Sequence, residues 1–282
     1  MGLLDFDAKP DAYAVMGNPI AHSKSPRIHA LFAKQTRQRL TYTAILVEPG
    51  GFAQAVGNFH ANGGKGLNVT VPFKQEAWRL VDERSPRAER AGAVNTITLH
   101  KDGSRSGENT DGVGLVSDLS RLGVTLRGRR VLILGAGGAV RGVLEPLLDE
   151  GPAELLIANR TVTRAEELAS AFAGAGAITG CGFDELEGRQ SDVIINGTTA
   201  SLQGEVPPLP DAILAEGATC YDMMYAAEPT AFVQWARERH AAAAHDGLGM
   251  LVAQAAESFY IWRGVRPEIG PVIETLRREL SG

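Results

Sequence analysis

The sequence predicts an α/β protein of two domains, the first built on a mostly parallel sheet and the second on a Rossmann-type sheet. Its 282 residues suit two domains of ordinary size. Short apolar runs bounded by glycine and proline alternate with helical stretches, a spacing typical of parallel strands joined by right-handed crossovers. A new strand–glycine loop–helix unit begins at Arg130, so we expect a domain boundary in the helix before it.

The first domain is predicted to begin with a strand, a helix and a second strand. Ser25 and Pro26 suit the N-cap and first helical position of that helix. The helix after the second strand is expected over 52–59. The predicted strands are 12–16, 41–47 and 66–71, followed by a hairpin of 93–99 and 104–109 about Asp102-Gly103.

The second domain is predicted to follow a helix over 112–122. Helical segments separate its strand-like runs, which is the pattern of a dinucleotide-binding sheet. From Gly247 onward the pattern is helical, with no further strand. The predicted strands are 130–134, 154–158, 192–195 and 218–221.

Composition narrows the functional class. Hydrophobic residues make up 44% of the chain and charged residues 22%, a mixture typical of a globular protein. The net charge of −5 argues against a nucleic-acid surface. Two cysteines and six histidines without ligand spacing predict neither a disulfide scaffold nor a metal site, and favour a reducing cytoplasm. The sequence leaves the oligomeric state open, and a homodimer is compatible with it.

The sequence gives no reason to expect a membrane protein. The first seven residues carry acid early and have no long apolar core, so we do not expect a signal peptide. Apolar runs stay well short of the roughly 20 residues that a membrane-spanning helix needs.

A glycine-rich turn follows the first strand of the second domain. Strand 130–134 runs into Gly135, Ala136, Gly137, Gly138 and Ala139, and then into a helix. Glycines allow the backbone to turn sharply and approach a pyrophosphate, whose charge lies at the helix N-terminus. The loop therefore predicts a dinucleotide site, although Val140 occupies the position of the third glycine.

The residues after the next strand indicate which dinucleotide binds. An NAD site usually places an acid there to hold the ribose hydroxyl, but this chain has Asn159, Arg160 and Thr161, with Arg164 close behind. Thr163 and Glu166 fit a capping box, which would place Arg164 in the first helical turn against the helix dipole. The 2′-phosphate of NADP(H) would relieve that conflict.

Polar residues with alternating spacing follow two strands of the first domain. In an extended loop Ser23 and Ser25 point to one side, and such paired hydroxyls suit a polyol or a carboxylate. Asn68 and Thr70 share a face near the carboxyl end of a parallel strand, where open α/β sheets bind ligands. We therefore expect a small, hydroxyl-rich substrate at this edge.

Lys74 and Asp111 are the candidate proton-transfer groups. Lys74 lies just beyond the third strand, and Asp111 lies at the predicted domain junction, where a cleft would form. Hydride delivery to a carbonyl carbon creates an alkoxide that needs a proton. A lysine ammonium can donate that proton, and a carboxylate can hold and orient the ammonium.

Eight short strings follow one another across nearly the whole chain. They are GNPIAHSKSP at 17–26, NVTVPFK at 68–74, GAVNT at 92–96, NTDG at 109–112, GAGGA at 135–139, NRT at 159–161, YDMMY at 221–225 and DGLGMLVAQ at 246–254. Any one of these strings is moderately specific, whereas the ordered set is very specific. With this set the chain resembles the shikimate dehydrogenase family.

The resemblance implies reversible, NADP-linked interconversion of 3-dehydroshikimate and shikimate, with Lys74 and Asp111 as the catalytic pair. It implies a discontinuous substrate domain of 1–111 with 247–282, around a cofactor domain of 112–246. It adds Met223 and Gly247 to the cofactor contacts. By the same resemblance the substrate hydroxyls and carboxylate are held by Ser23, Ser25, Thr70, Asn95, Tyr225 and Gln254.

Two features depart from expectation. Asn196-Gly197-Thr198-Thr199 replaces a more usual Asn-Ala-Thr-Ser near the cofactor, and Pro146 should kink the helix after the glycine loop. Two alternatives stay open at this point. One is a paralogue acting on quinate or an amino analogue, with NAD as a further option, and the other is a catalytically silent nucleotide-binding sensor or scaffold.

Overall fold

The computed structural model describes residues 9–282, and these divide into two compact units. Within that range, unit 1 comprises residues up to Thr110 together with Ala255–Glu268, and unit 2 comprises Asp111–Gln254 with Ile269–Gly282. The expectation about a signal peptide falls on residues 1–7, which lie outside the described part. The predicted domain limits, 1–111 with 247–282 for the substrate domain and 112–246 for the cofactor domain, stay a prediction. They assign all residues after 246 to the substrate domain, whereas the compact units divide those residues between them.

The described part of unit 1 contains a mixed six-stranded sheet in the order β2-β1-β3-β5-β6-β4. The first three strands in that order are parallel, and β5 and β6 form an antiparallel hairpin, as predicted. The strands are β1 (Asp11–Gly17), β2 (Leu40–Leu46), β3 (Gly64–Val69), β4 (Glu83–Arg84), β5 (Thr96–Leu99) and β6 (Arg105–Glu108).

The helices of unit 1 cover both faces of its sheet. One face packs around Phe52 and Phe73, whose rings stack at 5.1 Å. Phe32 and Phe259 meet at 5.7 Å in a second aromatic group. The helices are α1 (Ser25–Thr36), α2 (Phe52–Ala61), α3 (Lys74–Leu80), α4 (Pro86–Ala91) and the second half of α9 (Leu248–Arg263).

Unit 2 contains a parallel six-stranded sheet in the order β12-β11-β10-β7-β8-β9 within the described residues. Strand order reverses between β10 and β7, beside the first strand of the unit, as in a doubly wound Rossmann-type fold. The strands are β7 (Arg130–Leu134), β8 (Glu154–Ala158), β9 (Ile178–Cys181), β10 (Ser191–Asn196), β11 (Leu214–Asp222) and β12 (Ala243–His245).

Alternate residues of the central strands enter separate cores. Val131 and Ile133 of β7 pack in one cluster, and Leu132 and Leu134 pack in another. This period of two places apolar side chains on both faces, which helices cover. The helices of unit 2 are α5 (Asp111–Arg121), α6 (Gly138–Asp149), α7 (Val162–Phe172), α8 (Ala231–Glu238), the first half of α9, and α10 (Gly270–Ser281).

The structure corrects two helix starts. Lys24 is the N-cap of α1, so Ser25 is already its first helical residue and not the cap. Thr161 is the N-cap of α7 without a side-chain cap, so the predicted Thr163–Glu166 capping box is wrong. In both cases the helix begins earlier than the capping residue suggested. Arg164 nevertheless lies in the first turn of α7.

Strands β9 and β12 were not predicted. Each is an outer strand of the unit 2 sheet and is only three or four residues long. Neither carries the sustained apolar run that marked β7 and β8. Pro146 lies inside a helix that continues to Asp149, and a methyl group added at Gly112 would lie 2.6 Å from its ring. Pro146 therefore fills the space that Gly112 leaves open.

Candidate active site

The carboxyl ends of β1 and β3 bring the first group of predicted residues together. Thr70 follows β3, and its N–H donates to the Met16 carbonyl of β1 at 3.0 Å. Ser23 and Ser25 follow β1, and the Ser25 N–H donates to the Ser23 hydroxyl oxygen at 3.3 Å. Ser25 is buried and Ser23 partly exposed. These residues form the rim of unit 1 at which ligands bind in open α/β sheets.

Asn68 is the centre of a buried hydrogen-bond network. Its Oδ1 accepts from the Tyr42 hydroxyl at 2.7 Å. Its Nδ2 lies 3.1 Å from both the Asn95 carbonyl and Thr96 Oγ1, and 3.0 Å from Ser258 Oγ. The network fixes the end of β3 in one geometry. Tyr42, Thr96 and Ser258 were not predicted as site residues.

Asn95 fixes the chain segment that leads into α5. Its Oδ1 accepts from the Thr110 N–H at 2.9 Å, and its Nδ2 donates to Thr110 Oγ1 at 2.9 Å. Asn109 adds a bond from its Nδ2 to the Ala93 carbonyl at 3.1 Å. Asp111 is the next residue after Thr110 and is 8% exposed at the start of α5. The buried amides therefore hold the backbone on which Asp111 stands.

Lys74 is the first residue of α3 and is partly buried. The backbone carbonyl of Lys74 accepts from the Val94 N–H at 2.9 Å. Lys74 is therefore bonded to the residue that directly precedes Asn95. A cation at the start of a helix gains nothing from the helix dipole, so helix stability does not account for this residue. Lys74 belongs to unit 1 and Asp111 to unit 2, and their pairing stays a prediction.

The glycine loop of unit 2 is open in the way a pyrophosphate requires. Gly135 has a φ of 102°, a left-handed conformation that favours glycine. Gly137 and Gly138 are exposed, and a methyl group added at either would meet nothing within 4 Å. The loop therefore leaves space above the first N–H groups of the 12-residue helix α6, where an anion is stabilised.

The two predicted phosphate-binding arginines are exposed beside this loop. The Asn159 side chain donates to the Thr161 carbonyl at 2.9 Å and shapes the turn between β8 and α7. Within residues 9–282 neither Arg160 nor Arg164 makes an ion pair or a side-chain hydrogen bond. Both guanidinium groups are therefore available to a ligand anion.

The ends of β11 and β12 bring Met223 and Gly247 together. A methyl group added at Gly247 would lie 2.3 Å from the Met223 carbonyl oxygen, so this contact requires glycine. The preceding Asp222 is fully buried, and it accepts from Thr230 Oγ1 at 2.6 Å and from Asn196 Nδ2 at 3.1 Å. Burial raises the pKa of Asp222, while these hydrogen bonds oppose the shift.

Two further predicted substrate residues, Tyr225 and Gln254, belong to unit 2. Tyr225 follows Met223 by two residues, and burial raises the pKa of its hydroxyl. Gln254 packs on α5, since a methyl group added at Gly114 would lie 2.6 Å from its Cβ. The structure thus groups the predicted residues by unit, with Ser23, Ser25, Asn68, Thr70, Lys74 and Asn95 in unit 1, and Asp111, Tyr225, Gln254 and the cofactor residues in unit 2.

Val140, at the position of the third glycine, and Gly197, in the unusual segment after β10, pack against each other. Val140 is fully buried in the core behind the loop. A methyl group added at Gly197 would lie 2.3 Å from Val140 Cγ2. The larger residue in the loop helix is therefore accommodated by the smaller one after β10.

Comparison with known proteins supports the resemblance. Three family models match in order, described as the shikimate dehydrogenase substrate binding domain over 15–97, shikimate/quinate 5-dehydrogenase over 118–203, and the shikimate 5′-dehydrogenase C-terminal domain over 247–277. The shikimate dehydrogenase (NADP(+)) of Cellvibrio japonicus is 60% identical, with 96% of this chain and 98% of that protein covered.

Solved structures match over nearly the whole chain. An Ael1 enzyme from Pseudomonas putida is 47% identical, with a TM-score of 0.89 and coverage of 94% of this chain and 98% of that chain. Shikimate 5-dehydrogenase from Thermus thermophilus, solved in complex with NADP(H) and shikimate, is 31% identical with a TM-score of 0.85, covering 96% and 100%. The predicted fold class is confirmed.

Proposed function

Because the chain belongs to the shikimate dehydrogenase family, we propose that it catalyses the reversible reduction of 3-dehydroshikimate to shikimate with NADPH. The family assignment makes it an NADP-dependent oxidoreductase of amino-acid biosynthesis, as the sequence predicted. The observation that carries the substrate assignment is full-length identity of 60% to a protein named for this activity.

The proposed chemistry needs one hydride and one proton. NADPH, when bound, supplies the hydride to the carbonyl carbon of the substrate. The Lys74 ammonium donates a proton to the carbonyl oxygen, which becomes the hydroxyl, and the resulting amine regains a proton from water. Asp111 holds the ammonium in place through its carboxylate. In the reverse direction the neutral amine accepts the hydroxyl proton.

Substrate orientation is assigned to the polar residues at the sheet ends. We place the hydroxyls and carboxylate of the substrate against Ser23, Ser25, Asn68, Thr70, Asn95, Tyr225 and Gln254. The buried network around Asn68 supports this assignment, because fixed polar groups select a ligand that can satisfy them. In unit 1 the buried amide and hydroxyl bonds keep those groups in one arrangement before a ligand arrives.

The residues of unit 2 fit an NADP phosphate ester. The pyrophosphate would lie against the backbone of Gly135, Ala136, Gly137, Gly138 and Ala139, at the start of α6. Arg160 and Arg164, with Asn159 and Thr161, would hold the 2′-phosphate; both guanidinium groups are exposed and lack partners within the described residues. Met223 and Gly247 would border the nicotinamide.

Steady-state turnover tests this proposal. Shikimate and quinate should each be assayed with NADP and NAD, and we expect the highest kcat/KM for shikimate with NADP. A preference for quinate would favour the alternative that the chain is a quinate-acting paralogue. A preference for NAD would contradict the assignment of the two arginines to the 2′-phosphate. Absence of turnover together with NADPH binding would favour the silent sensor.

A lysine variant tests the proton-transfer role. Lys74→Ala should lower kcat by roughly 10²–10⁴-fold, the usual contribution of general acid–base catalysis, while changing KM little. Lys101→Ala, at an exposed hairpin turn, is the matched control and should behave as wild type. Near-normal kcat in Lys74→Ala would remove Lys74 from the mechanism.

Compartment and assembly belong to the same proposal. The structure contains no helix, among the residues it describes, with the length and apolarity that crossing a bilayer demands. We place the enzyme in the cytoplasm, without nucleic-acid or membrane partners, and take a homodimer as the assembly to test by sedimentation. A sharp monomer boundary at assay concentrations would contradict the dimer.

A further inference from the structure

Unit 2 has a polar cavity that the proposed function does not use. It has a volume of about 350 Å³ and is bounded by the end of α5, by α8, by β12, by the start of α9 and by α10. Its lining residues include none of the residues assigned above to substrate or cofactor. All of them belong to unit 2. The cavity therefore needs an explanation of its own.

Three guanidinium groups line this cavity. Arg121 and Arg277 are each held by a carboxylate in the wall, since Arg121 Nε donates to Asp118 at 2.8 Å and Arg277 donates to Asp246 at 2.8 Å. Arg237 on α8 is exposed and makes no ion pair within the described residues. Three cations against two carboxylates leave one uncompensated positive charge.

The two carboxylates are directed into the protein. Asp118 is 1% exposed and also accepts from the Tyr221 hydroxyl at 2.7 Å. Asp246 also accepts from the Leu248 N–H at 3.3 Å. Both carboxylates are bonded to donors of the wall and their side chains are only 1% and 10% exposed, whereas Arg237 is exposed.

His245 adds a neutral donor to the same wall. Its ring has no hydrogen-bond partner among residues 9–282. Burial lowers its pKa, and the charges of Arg121 and Arg237 act in the same direction, against the opposing charges of Asp118 and Asp246. The ring is therefore neutral at pH 7 and can donate one N–H.

The rest of the lining is apolar. Leu122, Val233 and Ile273 come from three different parts of the unit and face the same space. An inorganic anion would leave this surface in contact with water, whereas a compact organic body would cover it. A single negative charge would match the one uncompensated cation.

We propose that this cavity is a binding site for a small organic monocarboxylate. Its carboxylate is held by Arg237 with the His245 ring N–H, and its apolar body packs between α5, α8 and α10. The proposal is independent of the activity of the enzyme and of the NADP site.

Benzoate is the probe that tests it, with saturating NADP present so that the cofactor site is filled. The imidazole resonance of His245, assigned with His245→Gln, should shift in a saturable way. Arg237→Gln should weaken benzoate binding about tenfold, the size expected for loss of one charged hydrogen bond. The control variant is Arg239→Gln, which removes an arginine two residues further along the chain that pairs with Asp211. This variant should bind benzoate as the wild type does.

Several outcomes would overturn the proposal. The first is that the His245 resonance shows no saturable shift at tens of millimolar benzoate. The second is that Arg237→Gln and Arg239→Gln weaken benzoate binding equally, and the third is that neutral benzyl alcohol binds as tightly as benzoate. Inorganic phosphate binding more tightly than benzoate would replace the monocarboxylate with a polyanion and contradict the ligand class. Because Arg237 is exposed, Arg237→Gln should retain the wild-type fold, and its thermal transition without ligand checks this.

Discussion

In unit 1 the polar residues at the carboxyl end of the sheet are buried and bonded to one another, whereas in unit 2 the predicted phosphate-binding residues stand on exposed loops. Asn68 and Asn95 are 6% and 2% exposed and share partners in one network. Arg160 and Arg164 are exposed and have no side-chain partner in the described chain. The polar groups at the sheet edge are thus bonded to one another in unit 1, whereas the arginines of unit 2 are left exposed to solvent.

This contrast indicates how each unit would select its ligand. A network that is satisfied before binding holds a fixed shape, and this suits recognition of several hydroxyls at defined positions. Exposed guanidinium groups provide charge without fixed geometry, and they suit a phosphate that binds from solvent. Substitutions in the buried unit 1 network should therefore alter stability and catalysis together, while substitutions of the exposed unit 2 arginines should alter only cofactor affinity.

The largest effect is expected at the centre of the unit 1 network. Asn68→Ala leaves the Tyr42 hydroxyl and Ser258 without a shared partner, and should lower the free energy of unfolding by roughly 2–4 kcal/mol. Urea unfolding measures this, and Asn58→Ala on the exposed face of α2 is the control. If the two variants were equally stable, the network would not be the preorganised element that the comparison requires.

The buried histidine beside that network gives the next effect. His29 is 1% exposed, stacks on Tyr42 at 4.1 Å, and has no hydrogen-bond partner for either ring nitrogen in the described residues. Burial lowers its pKa from 6.5 to about 3, with the Asn68 side chain opposing the shift. The unfolded chain therefore takes up a proton below pH 6.5 that the folded chain excludes until about pH 3.

Acid should consequently destabilise the protein through His29. Between pH 7 and pH 5 this one residue should remove about 2 kcal/mol from the free energy of unfolding. His29→Phe keeps an aromatic ring without the titration, and its stability should fall less over that interval when urea unfolding is repeated at each pH. Parallel pH profiles for the two proteins would show that His29 is protonated in the folded state.

A smaller effect is expected where the glycine loop packs on the unit 2 core. Gly197→Ala should destabilise by roughly 1–3 kcal/mol through overpacking against the stiff, buried Val140. Val140→Ala in the same chain should restore part of that loss, and the double-mutant cycle isolates the coupling. If the two substitutions had additive effects on the free energy of unfolding, Gly197 and Val140 would not be coupled, and overpacking against Val140 would not be the cause of the loss.

Sequence reasoning reached the elements with sustained local patterns and missed those defined by distant contacts. Strands β7 and β8 were predicted residue for residue, because apolar runs bounded by turn residues mark central strands. Ser258 bonds Asn68 across 190 residues of chain, a relation that periodicity does not encode. Outer strands such as β12 pair on one side only, so their sequence is weakly constrained.

The smallest effect, and the sharpest test of the comparison, lies at the exposed arginines. Arg160→Gln should raise the KM for NADPH about tenfold, since one charged contact to the 2′-phosphate is lost, and should leave the KM for NADH unchanged. Unfolding should be unaffected, because the side chain makes no bond within the described fold. Arg129→Gln, at the amino end of β7 away from the glycine loop, provides the control for net charge. A variant that lost stability, or lost NADH and NADPH affinity alike, would mean that Arg160 supports the loop itself, and the contrast between a preorganised unit 1 edge and an open unit 2 edge would no longer hold.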